Sequence, residues 1–409
     1  VPNYQIWHSK SDNSQGQSLD LNHVSLNNIH IQYSDAKSNL HISALALQTE
    51  LNGTIENSIF SAQISGDFEP DFIKVRQDKY LEEKTLSAWV SLDVSKQNAT
   101  FNGSAQTNDL ELKFNGSFQN GYTVNVSGTD IDIKTSLHYV PKRFLRSIQS
   151  YQFDGTADLN INIENQKTSN LPAAIHADFN IENGSIKSNL PWHIKAAEIE
   201  GVYHNGKQRN NGSSIVGLQS IKCQVNDEYL KGSLTYSNFN NPHIQSQFNT
   251  ELDLADIQQW GYELPIQEVS GRATIIANYK GKVGLKNDIK KDFEQAEKSV
   301  DIQLTNPSFR YKPLALFHVL DGSMRLLNNR LEIDSVKGTI GTESKFKFIG
   351  AVEHLFSQSK ELQIAGNLSS DWLKISEMIR VDTTQESTPF IMPKNILANI
   401  TTNIKDASY

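Results

Sequence analysis

Residues 158–164 read Asp158-Leu159-Asn160-Ile161-Asn162-Ile163-Glu164, an unbroken alternation of polar and aliphatic side chains. A β-strand points successive side chains to opposite faces, so Leu159, Ile161 and Ile163 belong on a buried face and Asn160 and Asn162 on a wet one. The same beat recurs along the chain, at Ile29, Ile31 and Tyr33, at Ala88, Val90, Leu92 and Val94, at Leu110, Leu112 and Phe114, and at Phe346 and Phe348. The fold it predicts is mainly β: an elongated antiparallel meander of repeated β units with a curved groove and a few short helices. Asn-Gly pairs begin at Asn52, Asn102, Asn115, Asn120, Asn183, Asn205 and Asn211, joined by Asp154-Gly155 and Asp321-Gly322. Such pairs supply the positive φ of tight hairpins and are expected at the strand connections.

Helical spacing is confined to short pieces. Pro141 to Ser150, Asp253 to Gly261 and Asp371 to Arg380 each predict one, and the charged stretch Lys286 to Lys298 reads as a solvated connection, with a helix carrying Ile289, Phe293 and Ala296 on one side as the alternative. No window approaches the roughly 20 apolar residues of a membrane-crossing helix. Val1 and Tyr409 carry neither start nor stop signals, and both are read as cut ends of something longer.

The 409 residues allow two or three domains, with a net charge of −8 and only 37% apolar side chains. That fraction favours a thin body over a thick core. The acidic balance without a dense Lys/Arg block excludes a polyanion partner, because neutralising phosphates takes clustered cations, so no nucleic acid is expected.

Internal repetition is the most informative pattern. Leu26-Asn27-Asn28-Ile29-His30-Ile31-Gln32-Tyr33 aligns without gaps on Leu304-Thr305-Asn306-Pro307-Ser308-Phe309-Arg310-Tyr311, and Ile181-Glu182-Asn183-Gly184-Ser185-Ile186 fits the same frame. Leu218 to Val225 matches Ile333 to Ile340, with Gly232 and Gly350 following in order, and Gly155-Thr156-Ala157 matches Gly271-Arg272-Ala273. Three units follow: 1–138, 139–265 with short helices, and 266–409, truncated at its C-terminal end. Stacked edge to edge, such units would carry one apolar face through all of them.

Reactive chemistry is not visible. The 11 histidines form no pair at metal-ligand spacing, and no nucleophile elbow, dinucleotide fingerprint or phosphate-binding loop occurs. Asp130 and Asp132 read as a solvated strand start; Asp67, Glu69 and Asp71 read as a polar turn. Cys223, between Ile221 and Val225, is expected to be a small inward apolar residue. The five tryptophans, Trp7, Trp89, Trp192, Trp260 and Trp372, are too dispersed to suggest a sugar platform. No enzyme activity, metal or cofactor is expected.

The opening Leu19-Asp20-Leu21 through Val24, Leu26, Asn28, Ile29, Ile31 and Tyr33, the middle Phe179-Asn180-Ile181-Glu182-Asn183-Gly184-Ser185-Ile186, and Val336-Lys337-Gly338-Thr339-Ile340 with Gly350 carry a resemblance over most of the chain. The chain resembles the AsmA-like family of bacterial envelope proteins, in the form common among Bacteroidetes-type sequences. That resemblance implies a periplasmic β-rich body related to bridge-like lipid-transfer grooves, an N-terminal helix in the inner membrane of a Gram-negative bacterium, and a role in outer-membrane lipid homeostasis. The anchor helix and the final C-terminal module of the family lie outside this sequence.

Two acyl chains of roughly fifteen carbons expose methylenes in water at a cost on the order of 20 kcal/mol, which a continuous apolar trough removes without any catalytic residue. The expected groove residues are Ile29, Ile31, Leu159, Ile161, Ile163, Phe179, Ile181, Ile275, Phe346 and Phe348, and the expected partner is a phospholipid or other acyl lipid, with further envelope proteins as candidates. Three alternatives stay open: the inward residues fill an ordinary core, the chain is a closed β scaffold or adhesin without lipid cargo, or it is a carbohydrate-active β-protein using paired carboxylates.

Overall fold

A computed structural model describes residues 19–35, 40–56, 59–75, 78–80, 85–108, 110–140, 145, 148–187, 193–256, 266–282, 289–311, 316–357, 361–374 and 396–408. They form 21 strands and a few short helical pieces. The expected antiparallel meander is what the chain folds into. It divides into two compact units, and the division falls inside one strand, between Leu159 and Asn160.

The first unit contains β1 (Leu19–Asp35), β2 (Leu40–Glu56), β3 (Ile59–Val75), the short β4 (Asp78–Tyr80), β5 (Leu86–Val94), β6 (Ala99–Gln106), β7 (Glu111–Phe118) and β8 (Gly121–Asp132). It also takes the second half of β9 (Gln152–Gln166). Each strand pairs antiparallel with the next, β4 being a side branch that pairs with β3 only. A one-turn helix α1 (Ile133–Ser136) and a 3-10 turn (Leu137–Tyr139) follow β8.

The second unit opens with the first half of β9 and continues through β10 (Ala174–Lys187), β11 (Ile194–His204), β12 (Ile215–Val225), β13 (Glu228–Ser237), β14 (His243–Asp253) and β15 (Ile266–Lys282). After helix α2 (Ile289–Gln295) come β16 (Glu297–Tyr311), β17 (Leu316–Leu327), β18 (Arg330–Ile340), β19 (Ser344–Glu353), β20 (Leu362–Lys374) and β21 (Ile396–Ser408). Among the described residues the pairings from β10 onward are antiparallel except the last: β21 lies parallel to β20.

Most large apolar side chains of either unit are only half-buried among the described residues, with Val319, Ile340 and Leu373 among the few that are buried. Among the described residues the largest side chains below 2% exposure are Thr49, Pro70, Ser214 and Ser344, so no Leu, Ile or Phe is closed off completely. Strand after strand instead alternates half-buried aliphatic or aromatic residues with exposed polar ones, as in Glu111–Phe118 and His243–Asp253. A compact cluster among the described residues joins Ala197, Ile221 and Cys223, with Leu230, Leu234 and Phe248 against it. Cys223 is buried as expected, and burial pushes its thiol pKa up, away from the reactive thiolate.

The internal repeat has a backbone signature. Asn28, Asn183 and Asn306, aligned by sequence, all take positive φ, at 54°, 50° and 47°, on β1, β10 and β16. Asn enters this region more readily than most residues because its short polar side chain bonds locally. Gly155 and Gly271, also matched by sequence, have φ of 121° and 100°, and each presses against the bulged Asn segment of the neighbouring strand, beside Glu182–Gly184 and Asn306–Pro307. In the second pair of matches, the β12–β13 register shifts between Leu218 and Ile221 and the β18–β19 register between Ile333 and Val336, which are equivalent positions. A bulge re-aims the strand, and these recur in the same order.

Several local expectations are corrected. Asn120-Gly121 does turn β7 into β8, but Asn52-Gly53, Asn102-Gly103, Asn115-Gly116 and Asn183-Gly184 lie within strands. Asp154-Gly155 and Asp321-Gly322 also lie within strands, and the tight β12–β13 and β17–β18 turns use Asn226 and Asn328 at φ 58° and 54°. Asp67, Glu69 and Asp71 are not a turn but part of β3, where Ser87 donates to Asp67 (2.6 Å) and Ser43 to Asp71 (2.6 Å). Hydrogen bonds from Ser43 and His30 hold the Asp71 carboxyl below the usual range. Asp130 and Asp132 end a strand instead of starting one. Asp371 to Lys374 continue β20 and are not helical, and most of 141–150 and of 257–261 lies outside the described residues. The stretch Lys286 to Lys298 contains helix α2, stabilised by packing that its charged composition hides.

Replacing Asn183 or Asn306 by Ala should cost about 1–2 kcal/mol, the usual penalty of left-handed backbone for a residue with Cβ, whereas Gly at either site should be nearly neutral. Urea denaturation of the four variants against the parent measures this.

Candidate functional site: a registered apolar face

Antiparallel pairing places directly opposed residues on the same face, so the registers determine which side chains share a row. In the first unit Val24, Leu51, Ile64, Val90, Gly103, Phe114 and Val126 pair in succession across seven strands. The next row on that face is Leu21, Gly53, Ala62, Leu92, Phe101, Gly116 and Val124. Neither row holds a polar side chain.

The second unit carries a longer one. Ile181, Ile199, Ile221, Gly232, Phe248, Ala277, Val300, Leu326, Leu331, Val352, Ile364 and Ala398 are linked by pairing from β10 to β21. Beside it run Leu230, Thr250, Ile275, Ile302, Met324, Ile333, Gly350, Gly366 and Ile400, with Thr250 the one polar member.

Glycines make this face flat. Phe114 lies over Gly103, Phe101 over Gly116, Phe179 over Gly201, Phe248 over Gly232, and Phe348 over Gly350 and Gly366. A Cβ on any of these six glycines would come within 2.9 Å of a ring carbon. The ring therefore lies down on the neighbouring backbone, which is aromatic rescue of a strand glycine. This is why the Asn-Gly pairs at Asn102 and Asn115 sit within strands: the glycine receives a ring on one face while the asparagine points to the other.

The expected site residues sort as follows. Phe179, Ile181, Ile275, Phe346 and Phe348 are half-buried members of the apolar face in the second unit. Leu159, Ile161 and Ile163 are half-buried, and Asn160 is exposed; Asn162 is half-buried because it donates to Asn125 (2.8 Å). Ile29 and Ile31, on the first strand of its unit, oppose Ala46 and Ala44 and remain 42% and 39% exposed. Phe309 stacks on Phe317 (5.3 Å), and Phe317 meets Phe346 edge-on (6.1 Å), a cluster brought together by pairing between residues far apart in sequence.

Sequence reading missed an ammonium group inside this face. Lys298, opposite Tyr279 in register, is only 4% exposed. Its Nζ donates to the carbonyls of Phe293 (2.6 Å), Glu294 (3.3 Å) and Ala296 (3.3 Å) at the end of α2, and lies over the rings of Phe293 (4.9 Å) and Phe356 (5.4 Å). Phe293 in turn stacks on Tyr279 at 6.0 Å. Carbonyl dipoles and ring faces replace water around the charge, and burial lowers the Lys298 pKa. The helix thus caps one border of the apolar rows.

The opposite face is polar and bears ion pairs such as Arg325–Asp301 (2.6 Å) and Arg310–Glu268 (2.7 Å). Among the described residues no cluster of His, Cys, Asp and Glu is arranged to hold a metal ion, and no helix is long and apolar enough to cross a membrane. Comparison with protein-family models, with curated proteins and with solved structures returns no match to this chain.

Two outcomes test the geometry. Gly201→Val should destabilise the second unit by about 1–3 kcal/mol through overpacking beneath Phe179, and Phe179→Ala in the same chain should recover part of that loss, so the double-mutant cycle is non-additive. Lys298 binds its proton less tightly folded than unfolded, so its effect on stability grows more favourable as pH rises from the lowered pKa toward about 10.4. Lys298→Met should remove that rise, seen by subtracting the two stability–pH curves.

Proposed function

We propose that the chain binds acyl lipid on its apolar face and acts as a non-enzymatic lipid-transfer protein of the AsmA-like kind. In this reading it works in the periplasm, is held at the inner membrane by a helix outside this sequence, and supports outer-membrane lipid homeostasis. The observation that carries the proposal is the twelve-strand row from Ile181 to Ala398, whose members are Ile, Val, Leu, Phe, Ala and Gly alone and half-buried in the main.

The physical argument concerns what that row lacks. Apolar surface left in water costs about 25 cal/mol per Å², and contiguous exposed patches beyond a few hundred Å² mark interaction surfaces. A filled core would bury most large aliphatic residues, whereas among the described Leu, Ile and Phe residues only Ile131, Ile221, Leu326, Ile340 and Leu373 are buried and the others stay half-buried or exposed. Rings lying on glycines lower the face at those positions, and a methylene chain laid along the twelve-strand row would make many weak contacts with side chains that are all apolar. Sliding needs that combination, and the reading requires no cofactor or catalytic residue. The units proposed from sequence, 1–138, 139–265 and 266–409, are on this view repeats of one lipid-contacting module.

Mass spectrometry of organic extracts from gently purified protein tests the proposal directly. Ile275→Asp should lower bound lipid per folded protein by severalfold, because an ionised carboxylate resists desolvation in the path of the chain, whereas Thr274→Asp, on the exposed side of the same strand, should leave it unchanged. The comparison uses variants with parent-like melting. Equal occupancy in both, or no lipid in the parent, favours a scaffold without cargo.

A further inference from the structure

We propose that the polar face of the first unit carries a second binding site, for an uncharged pyranose chain, centred on Trp89. Trp89 is directed away from the apolar rows, because its register partners are Ser65 on β3 and Ser104 on β6, while the adjacent Val90 pairs with Ile64 and Gly103. Trp89 is 42% exposed, a large aromatic surface left in water between rows of hydroxyls, amides and charges.

The surroundings are as unusual as the ring. Gln63, Ser91 and Asn102 form one row across β3, β5 and β6, next to the row of Ser65, Trp89 and Ser104. Asparagine is depleted in strands, yet this row continues through Asn115 and Asn125 in register. Farther along, Asn125 donates to Asn115 (3.0 Å) and Asn162 to Asn125 (2.8 Å), so that part of the ladder is self-satisfied. Around Trp89 it is not. Among the described residues the side chains of Gln63, Ser65, Ser91, Asn102 and Ser104 have no hydrogen-bond partner, whereas the acids of the flanking rows do: Ser61 donates to Asp93 (2.5 Å) and Ser87 to Asp67 (2.6 Å).

The site thus offers one exposed indole face ringed by groups that both donate and accept, with Asp67 and Asp93 engaged and one charge of each sign flanking the Trp89 row, Glu50 opposite Ser65 and Lys113 opposite Ser104. A polyanion would need clustered cations, and an apolar peptide would need more than one aromatic anchor. A pyranose chain presents what matches: a ring face of C–H groups to stack on the negative face of the indole, and equatorial hydroxyls that pair with amide and serine groups at strand spacing. All six residues stand on strands, which hold their geometry better than loops. The inference is independent of lipid cargo, since the site and the apolar rows occupy opposite faces.

Titration calorimetry of the full chain with two uncharged tetrasaccharides, cellotetraose and the N-acetylglucosamine tetramer, tests it. At least one should bind. Trp89→Ala should weaken that binding by about tenfold, Trp89→Phe should retain most of it, and Asn102→Ala should show an intermediate loss, with melting temperature and bound lipid unchanged in all three. Failure of both sugars to bind the parent at millimolar concentration overturns the proposal. Parent-like affinity in Trp89→Ala overturns it as well.

Discussion

Cross-strand registration of apolar residues, with no covering layer among the described residues, is the constraint on which the rest of the fold depends. A one-residue slip in any strand would move its aliphatic set to the polar face and interrupt every row it crosses. Register is held here by the bulges at Asn183 and Asn306 with their Gly155 and Gly271 neighbours, and by phenyl rings that fit only over glycine. Phe179 over Gly201 is a steric key: shifted by one residue, the ring would meet Glu200 or Val202. Glycine ordinarily weakens a strand; in this sheet it becomes a specificity element.

The same constraint explains how a thin fold is stabilised. Backbone hydrogen bonding and cross-strand contacts are distributed along the ladder, each strand interacting mainly with its two neighbours, as in a repeat protein. Surface ion pairs on the polar face add little individually. The ladder of Asn115, Asn125 and Asn162 and the bonds from Ser43 and His30 to Asp71 join three strands each by side chains alone. Where the apolar rows border solvent, α2 and Lys298 supply the only described local cap built around a buried cation. The two faces therefore differ in kind: one carries unbroken apolar rows, and the other is hydrogen-bonded, charged and locally varied.

Alternation from Asp158 to Glu164 and its counterparts determined strand class and face for almost every element, because a period of two is a local property of the chain. The three aligned Asn segments were legible as matching strings, and they share a positive φ at Asn28, Asn183 and Asn306. Phe179, Ile181, Ile275, Phe346 and Phe348 were legible as apolar-face residues for the same reason. What a strand pairs with is not local. Asn102-Gly103 reads as a turn until Phe114 is known to lie across from Gly103; Lys286 to Lys298 reads as a solvated link until Phe293 meets Tyr279 and Phe356; and Trp89 reads as a stray tryptophan until Ser65 and Ser104 flank it. Sequence by itself determined which side chains alternate. Only tertiary pairing decided which of them stand in one row, since a row joins residues that are neighbours in space and tens of positions apart along the chain.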